Sequence, residues 1–511
     1  PVLVIPRDLA AASGAPLVEP SRCCGQAAHH ASPGSRRNAC LSASRILRRH
    51  GQTWQGRDLA YAVFSRPLVS QPWEARSLDR PVVVLAANVH GDERTFREGL
   101  LVLMRDFATE GTEAWDLLDD VTVLVVPQIN PDGFEASDEG TRGNVRGIDL
   151  NRDYVKLEHP AIANYVGNII REWRPHIFVD GHNGGSRPYN LNYQCPSHAD
   201  PAQELTLLCD EGIFPAIDAT LEEEGYLSWY YTGGNEEAWR VGGSQARIGR
   251  NYGGFVNSIG ILFESPTQTL EVGARAGYLG YLAVTEWAAE NADRLMEAVD
   301  RANAETVAMG AEPRGEITVE MEYGPEEYTV SYLLVENGGR GTDPEEEVDA
   351  ELIEGAQLLK RPVVLATRPR PWAYILPPEA RDAVDMLRRH GIAVERLRED
   401  TELEVDAYTV ADVTHERAYD HAAATVVEVG EVVTLDRTLP EGSWVVRTAQ
   451  NLGRLVGHML EPETEDNVVY WNTMDAWIPR SAEDVRGDGP ALVPIYKLMT
   501  PTALPTELVR E

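Results

Sequence analysis

Pro81-Val82-Val83-Val84-Leu85-Ala86-Ala87-Asn88-Val89-His90-Gly91-Asp92-Glu93 changes character at its end. Residues 81–89 are apolar but for Asn88, and the four that follow are nearly all polar. A run this short, valine-rich and uniformly apolar predicts a strand covered on both faces, like the central strands of parallel sheets. Three more such runs follow, at 121–129, 176–180 and 258–263, with helix-like stretches at 93–108 and 161–173 between them. A longer helical pattern over 276–308 places Leu279, Leu282, Leu295 and Val299 on one broadly apolar face. Alternation of this kind predicts an α/β domain over residues 46–310, with a mixed, mostly parallel central sheet flanked by helices on both faces.

The flanks read differently. Residues 1–45 mix Ala, Ser, Arg and Cys without periodicity and predict little independent structure. Residues 315–511 are expected to form a smaller α/β or β-rich C-terminal accessory region. It opens with a strand-like stretch (315–335) and an acidic, solvated loop (338–349). A short βαβ pattern (373–376, 378–390, 392–397) and strand-like runs at 424–433 and 443–447 follow.

Composition excludes some functions. The formal charge is −35, and only three of the 46 basic residues are lysine (Lys156, Lys360, Lys497). So acidic a chain is a poor partner for nucleic acid, whose phosphates need Lys and Arg. No apolar run approaches the roughly 18–20 residues of a membrane span. Residues 1–50 hold no basic segment followed by a long apolar stretch, so no intact secretory signal is read there. None of the five cysteines has CxxC spacing; Cys195 and Cys209 are read as either a disulfide or two buried thiols.

Four fragments carry chemistry. His90 and Glu93 follow the first apolar run, in a place where open α/β sheets gather ligands. An imidazole and a carboxylate three residues apart can turn to one point, and both suit zinc. His182, in Asp180-Gly181-His182-Asn183, ends another run and can supply a third ligand; His176 is a rival, expected at the opposite end of the sheet. Asn130-Pro131-Asp132-Gly133 is followed by Arg142 and by Asp149-Leu150-Asn151-Arg152. Two arginines and an asparagine meeting in a cleft would receive a carboxylate, which the guanidinium fork binds through two hydrogen bonds. Glu264 ends the last run, and a carboxylate there can act as general base on metal-activated water. Singly, each fragment is no more than an ordinary polar turn or strand end.

Taken in order, HxxE, NPDG, DLNR, the strand-end His and the strand-end Glu resemble the zinc carboxypeptidase family, carboxypeptidase A type, over about residues 46–305. The resemblance implies one Zn²⁺ per chain held by His90, Glu93 and His182, with Asp149 orienting a zinc histidine. It implies Glu264 as general base, Arg142 (or its rival Arg146) polarising the scissile carbonyl, and Asn151 with Arg152 gripping the substrate's terminal carboxylate. The tyrosine that the family often carries about twenty residues before the base is missing from Ala238-Trp239-Arg240-Val241-Gly242-Gly243-Ser244. Tyr252 is expected to substitute in substrate binding, with Tyr230 and Tyr231 further upstream. The implied activity is hydrolysis of C-terminal peptide bonds by zinc-activated water, on a peptide or acyl-amino-acid substrate with a free carboxylate, in an extracellular or periplasmic location. Two alternatives use other substrates or none: a deacylase or cell-wall peptide amidase on the same site, and a non-catalytic binding protein. The C-terminal region resembles one appended to some bacterial members of the family and holds no second catalytic set; His415, His421 and His458 are scattered through it.

Overall fold

Val83, Leu85 and Ala87 face one side of the central sheet and Val82, Val84 and Ala86 the other, and all six are buried. This two-faced burial is what the unbroken apolar run requires. The computed structural model describes residues 45–419, 421–479 and 491–510. The N-terminal segment, save residue 45, lies outside the described residues, and with it Cys23, Cys24 and Cys40.

The main sheet has eight strands in the spatial order 45–52, 58–64, 122–126, 82–87, 177–183, 259–265, 191–194, 228–230. The middle four are parallel to one another, and antiparallel or short strands close both edges. The fold is thus α/β with a mixed, centrally parallel sheet. One face carries the helices Thr95–Phe107 and Leu270–Glu290, packed through Phe96, Leu100, Leu279 and Tyr281. The other carries the helical segments spanning 160–173 and 249–255, packed through Ile162, Tyr165, Ile169, Tyr252 and Phe255. The pattern read as one helix over 276–308 is two, broken at Asn291, whose side-chain amide donates to Trp287 O at 3.0 Å.

All four central strands end on one edge, and the chain order reverses there. From strand 82–87 the sequence moves outward to 122–126, then back across to 177–183 and 259–265. The crevice at such a reversal is where ligands bind in open α/β sheets. His176 marks the other edge, accepting the Val82 N–H on Nδ1 at 3.0 Å, and so takes no part in the cleft.

Beyond Ala311 the chain forms a long antiparallel hairpin, Glu316–Leu334 with Glu351–Pro369. Its second strand pairs with Ala238–Val241, so a four-stranded sheet joins this hairpin to the first half of the chain. The turn region is anchored by Arg187, which donates to Thr342 Oγ1 (2.7 Å), Asp343 O (2.9 Å) and Glu346 O (2.5 Å). A separate seven-stranded sheet is built wholly from residues 373–508. The expected βαβ unit is there in altered form: Ala373–Leu376 and Glu395–Leu397 do not pair but flank Trp444–Arg447, each antiparallel to it. No helix among the described residues is long and apolar enough to cross a membrane. Cys195 and Cys209 form a disulfide.

A buried ionic cluster pins this second sheet. Lys497 Nζ lies 2.6 Å from Glu461 Oε1, and both groups are almost fully buried. Tyr374 and Tyr408 each donate to the same carboxylate at 2.7 Å. Removing one member of a buried pair leaves the other charge without compensation. Lys497→Met is therefore expected to lower stability by about 3–5 kcal/mol in urea unfolding; an unchanged midpoint would contradict the cluster's role.

Candidate metal centre and active-site cleft

The turn after strand 82–87 is shaped by Asn88, which sits in the left-handed region (φ 61°). Its side-chain amide donates to His90 O (2.8 Å) and Glu93 O (3.0 Å), curling the segment so that both side chains face inward. Gly91 allows the curl to close, because a Cβ there would fall 2.2 Å from the Gly133 carbonyl carbon. This explains the Asn130–Gly133 turn as scaffold: Asn130 Oδ1 accepts the Gly133 N–H, and its amide donates to Gly143 O.

His182 arrives from the neighbouring strand on the same face as Phe178 and Asp180, as two-residue alternation demands. His90 Nδ1 lies 2.8 Å from Glu93 Oε1, His182 Nδ1 lies 2.9 Å from Glu93 Oε2, and the two Nδ1 atoms are 3.1 Å apart. All three side chains are buried. The outer nitrogens are also engaged, His90 Nε2 by Asp149 Oδ1 at 2.9 Å and His182 Nε2 by Asp180 Oδ2 at 3.0 Å. Each carboxylate fixes the proton on Nε2 and leaves the Nδ1 lone pair pointing inward, the tautomer a metal ligand needs. Burial opposes charge on His182, yet Asp180 and Glu93 outweigh it and hold its pKa well above the usual value. The pocket is one that stabilises positive charge at its centre.

Two other clusters, Glu158–His159–His421 and His198–Asp200–His458, also bring three donor residues together. Their tautomers disfavour a metal. His159 Nδ1 faces the Trp54 indole N–H (3.0 Å) and the Asn144 amide (2.9 Å), and His198 Nδ1 accepts the Asp200 N–H (3.1 Å). A neutral imidazole that accepts at one nitrogen carries its proton on the other. Neither ring keeps a free lone pair for a cation.

Glu264 stands beside His182 in register on the adjacent parallel strand. Its carboxylate rests against Gly184, where a Cβ would come within 2.5 Å of Oε2. Burial pushes its pKa up to about 7, with the His182 charge opposing and Glu93 adding to the rise. A carboxyl group so poised suits general base work near neutral pH.

Arg142 reaches the same centre, with Nη1 3.1 Å from Glu93 Oε1 and Nη2 3.0 Å from Asp149 Oδ2. Its rival Arg146 does not; its guanidinium stacks on Trp54 at 3.8 Å. Asn151 is central, its Nδ2 3.3 Å from His182 Nε2 and its Oδ1 accepting the Gly249 N–H at 2.9 Å. Arg152 follows it, donating to Asn151 O and lying over the ring of Tyr419, which the C-terminal region contributes.

The expectation for Tyr252 fails. Its ring is buried in the helix packing, and its hydroxyl lies 2.9 Å from His390 Nδ1. Apolar packing of the 249–255 helix claims that face, so the side chain points away from the cleft. Of the two tyrosines further upstream, Tyr231 lies within electrostatic reach of Glu264; that carboxylate, chiefly, and then burial raise its pKa, with Arg250 and Arg340 opposing. Asp180, Asn88 and Arg250 were not singled out from sequence. For Asp180 the signal was available, since positions 180 and 182 of one strand share a face.

With this geometry in view, the comparisons with known proteins can be stated. The sequence profile described as zinc carboxypeptidase matches residues 42–201. Over that stretch the chain is similar to the zinc carboxypeptidase family. Carboxypeptidase 2 of Trichophyton equinum is 26% identical over 408 residues, covering 75% of this chain and 72% of that protein. Carboxypeptidase D of Drosophila melanogaster is 36% identical over 199 residues, covering 34% of this chain and 14% of that one. Among solved structures, a metallo-carboxypeptidase from Burkholderia cenocepacia aligns at a TM-score of 0.39 and 18% identity, over 50% of this chain and 68% of that one. The profile and the relatives named carboxypeptidase support a zinc-dependent hydrolase of peptide bonds, and His90, Glu93 and His182 form a donor set that fits zinc: two nitrogens and a carboxylate.

Asp180→Asn replaces the carboxylate that holds the His182 tautomer. Zinc affinity, measured by chelator competition, is expected to fall about 10–100-fold. Undiminished affinity would show that Asp180 does not orient the ligand.

Proposed function

We propose that the protein is a carboxypeptidase that removes single residues from peptides with a free C-terminus, using one zinc ion bound by His90, Glu93 and His182. The observation that carries this reading is the convergence of two Nδ1 atoms and one carboxylate within hydrogen-bonding distance of each other, beside Glu264 and below Arg142, Asn151 and Arg152.

When bound, zinc supplies a Lewis acid that lowers the pKa of water and polarises the scissile carbonyl. Glu264 accepts a proton from the attacking water on its carboxylate. It then returns that proton to the nitrogen of the departing residue, so that the peptide bond is exchanged for a carboxylic acid and an amine. Arg142, half exposed at the rim of the centre, supplies charge-assisted donors to the oxygen on which negative charge develops. Asn151 and Arg152 receive the terminal carboxylate, which fixes the cut one residue from the end. Asn151 couples the two tasks, since it touches His182 and anchors the helix at Gly249. Tyr231, within electrostatic reach of Glu264, serves in this reading as a further substrate contact. A location outside the cytoplasm is part of this proposal, supported by the Cys195–Cys209 disulfide, because such bonds persist in oxidising compartments.

Two tests address the reading. Glu264→Gln should retain zinc while turnover falls by about 10²–10⁴-fold, the usual scale of a lost general base; full activity would remove Glu264 from the role. Peptides with amidated C-termini should resist cleavage while their free-acid counterparts are cut. Equal rates on both would favour a deacylase or amidase activity at the same centre.

A further inference from the structure

Arg250 is the second residue of the helix Gly249–Phe255, whose first N–H is held by Asn151. Its side chain is therefore placed by the same residue that borders the metal centre. Arg250 is 4% exposed, and among the described residues its guanidinium makes one hydrogen bond, from Nη2 to Gly243 O at 2.6 Å. Its Nε is buried without a partner, and it forms no ion pair with any described residue. The nearby Arg247, buried to the same degree, is paired with Asp466 at 2.9 Å. In a chain with 81 acidic residues, a buried arginine with no ion-pair partner among the described residues is a charge only weakly compensated.

Its surroundings belong to the cleft. Burial lowers its pKa to about 10; the Tyr323 and Tyr231 hydroxyls and Glu264 oppose this, and Arg152 reinforces it. Arg250 Nη2, Tyr231 Cε1 and Gln194 Oε1 all converge on Gly242, at 3.2, 3.3 and 2.9 Å from where its Cβ would lie. Because Gly242 carries no side chain, the Arg250, Tyr231 and Gln194 groups can close on one another there. With Asn151 and Arg152 engaged by the terminal carboxylate, Arg250 is a further cation within electrostatic reach of Arg152 and Glu264.

We propose that Arg250 binds the side-chain carboxylate of the substrate's last residue, so that the preferred substrates are peptides ending in glutamate or aspartate. The inference rests on the carboxypeptidase reading and deepens it. A guanidinium binds a carboxylate through two charge-assisted hydrogen bonds, and an amide side chain of the same shape cannot supply the charge.

The test uses the zinc-loaded full chain and blocked dipeptides that differ only in the final residue: Glu, Gln, Asp or Leu. In the wild type, kcat/KM for Glu is expected to exceed that for Gln by at least about tenfold, as for sites built around a buried polar group. In Arg250→Gln that ratio should collapse toward one. A wild-type ratio near one, or a ratio that survives the substitution, overturns the assignment while leaving the carboxypeptidase reading intact. So does an equal loss on all four peptides, which would place Arg250 on the terminal carboxylate. If Arg250→Gln does not fold, the wild-type Glu-to-Gln ratio and Arg250→Lys, which keeps the charge and should keep the preference, decide the matter. Failure to cut any of the four overturns the parent reading and this one together.

Discussion

Two imidazoles turned inward by two carboxylates are the constraint on which the site depends. Asp149 and Asp180 each take the Nε2 side of a histidine, and Glu93 then meets both free Nδ1 atoms. Three carboxylates around two rings stabilise positive charge, and without a cation the arrangement can only be held by protons on the imidazoles. The two rejected histidine clusters make the contrast plain. There His159 and His198 accept hydrogen bonds on Nδ1, so neither of those two rings turns a free lone pair toward an ion.

The sheet delivers these groups because its four central strands are parallel and end together. His90, His182 and Glu264 come from three strands that are neighbours in space but distant in sequence. The accessory region does not stand apart from this arrangement. It lays Tyr419 on Arg152, packs His390 against Tyr252, and fastens its hairpin turn to Arg187, a few residues beyond His182. The walls of the cleft are thus shared between the two halves of the chain.

Much of this was legible in the sequence where burial is two-sided. The apolar runs at 81–89, 121–129, 176–180 and 258–263 each became a central strand, because an uninterrupted apolar stretch can satisfy itself only between two layers. The zinc-binding trio and the neighbouring glutamate were legible through a resemblance to a known family, not through spacing, and the structure brings them together. What escaped notice has physical reasons. The strand Glu351–Pro369 lies in a long ribbon with much of its surface exposed, so it carries no sustained apolar alternation. Tyr252 was chosen for its nearness to Glu264 in sequence, but helix periodicity turns it into the core. Arg250, two positions earlier on the same helix, faces the other way. No composition signal separates those two outcomes, since both depend on how one short helix rolls against the sheet.

The most direct test of the central claim is X-ray absorption at the zinc edge on the purified full chain. The proposed site predicts one zinc with two imidazole nitrogens at about 2.0–2.1 Å, oxygen donors at about 2.0–2.2 Å, and no sulfur. A sulfur shell, a single imidazole, or a metal signal unchanged after both His90 and His182 are replaced would contradict the account.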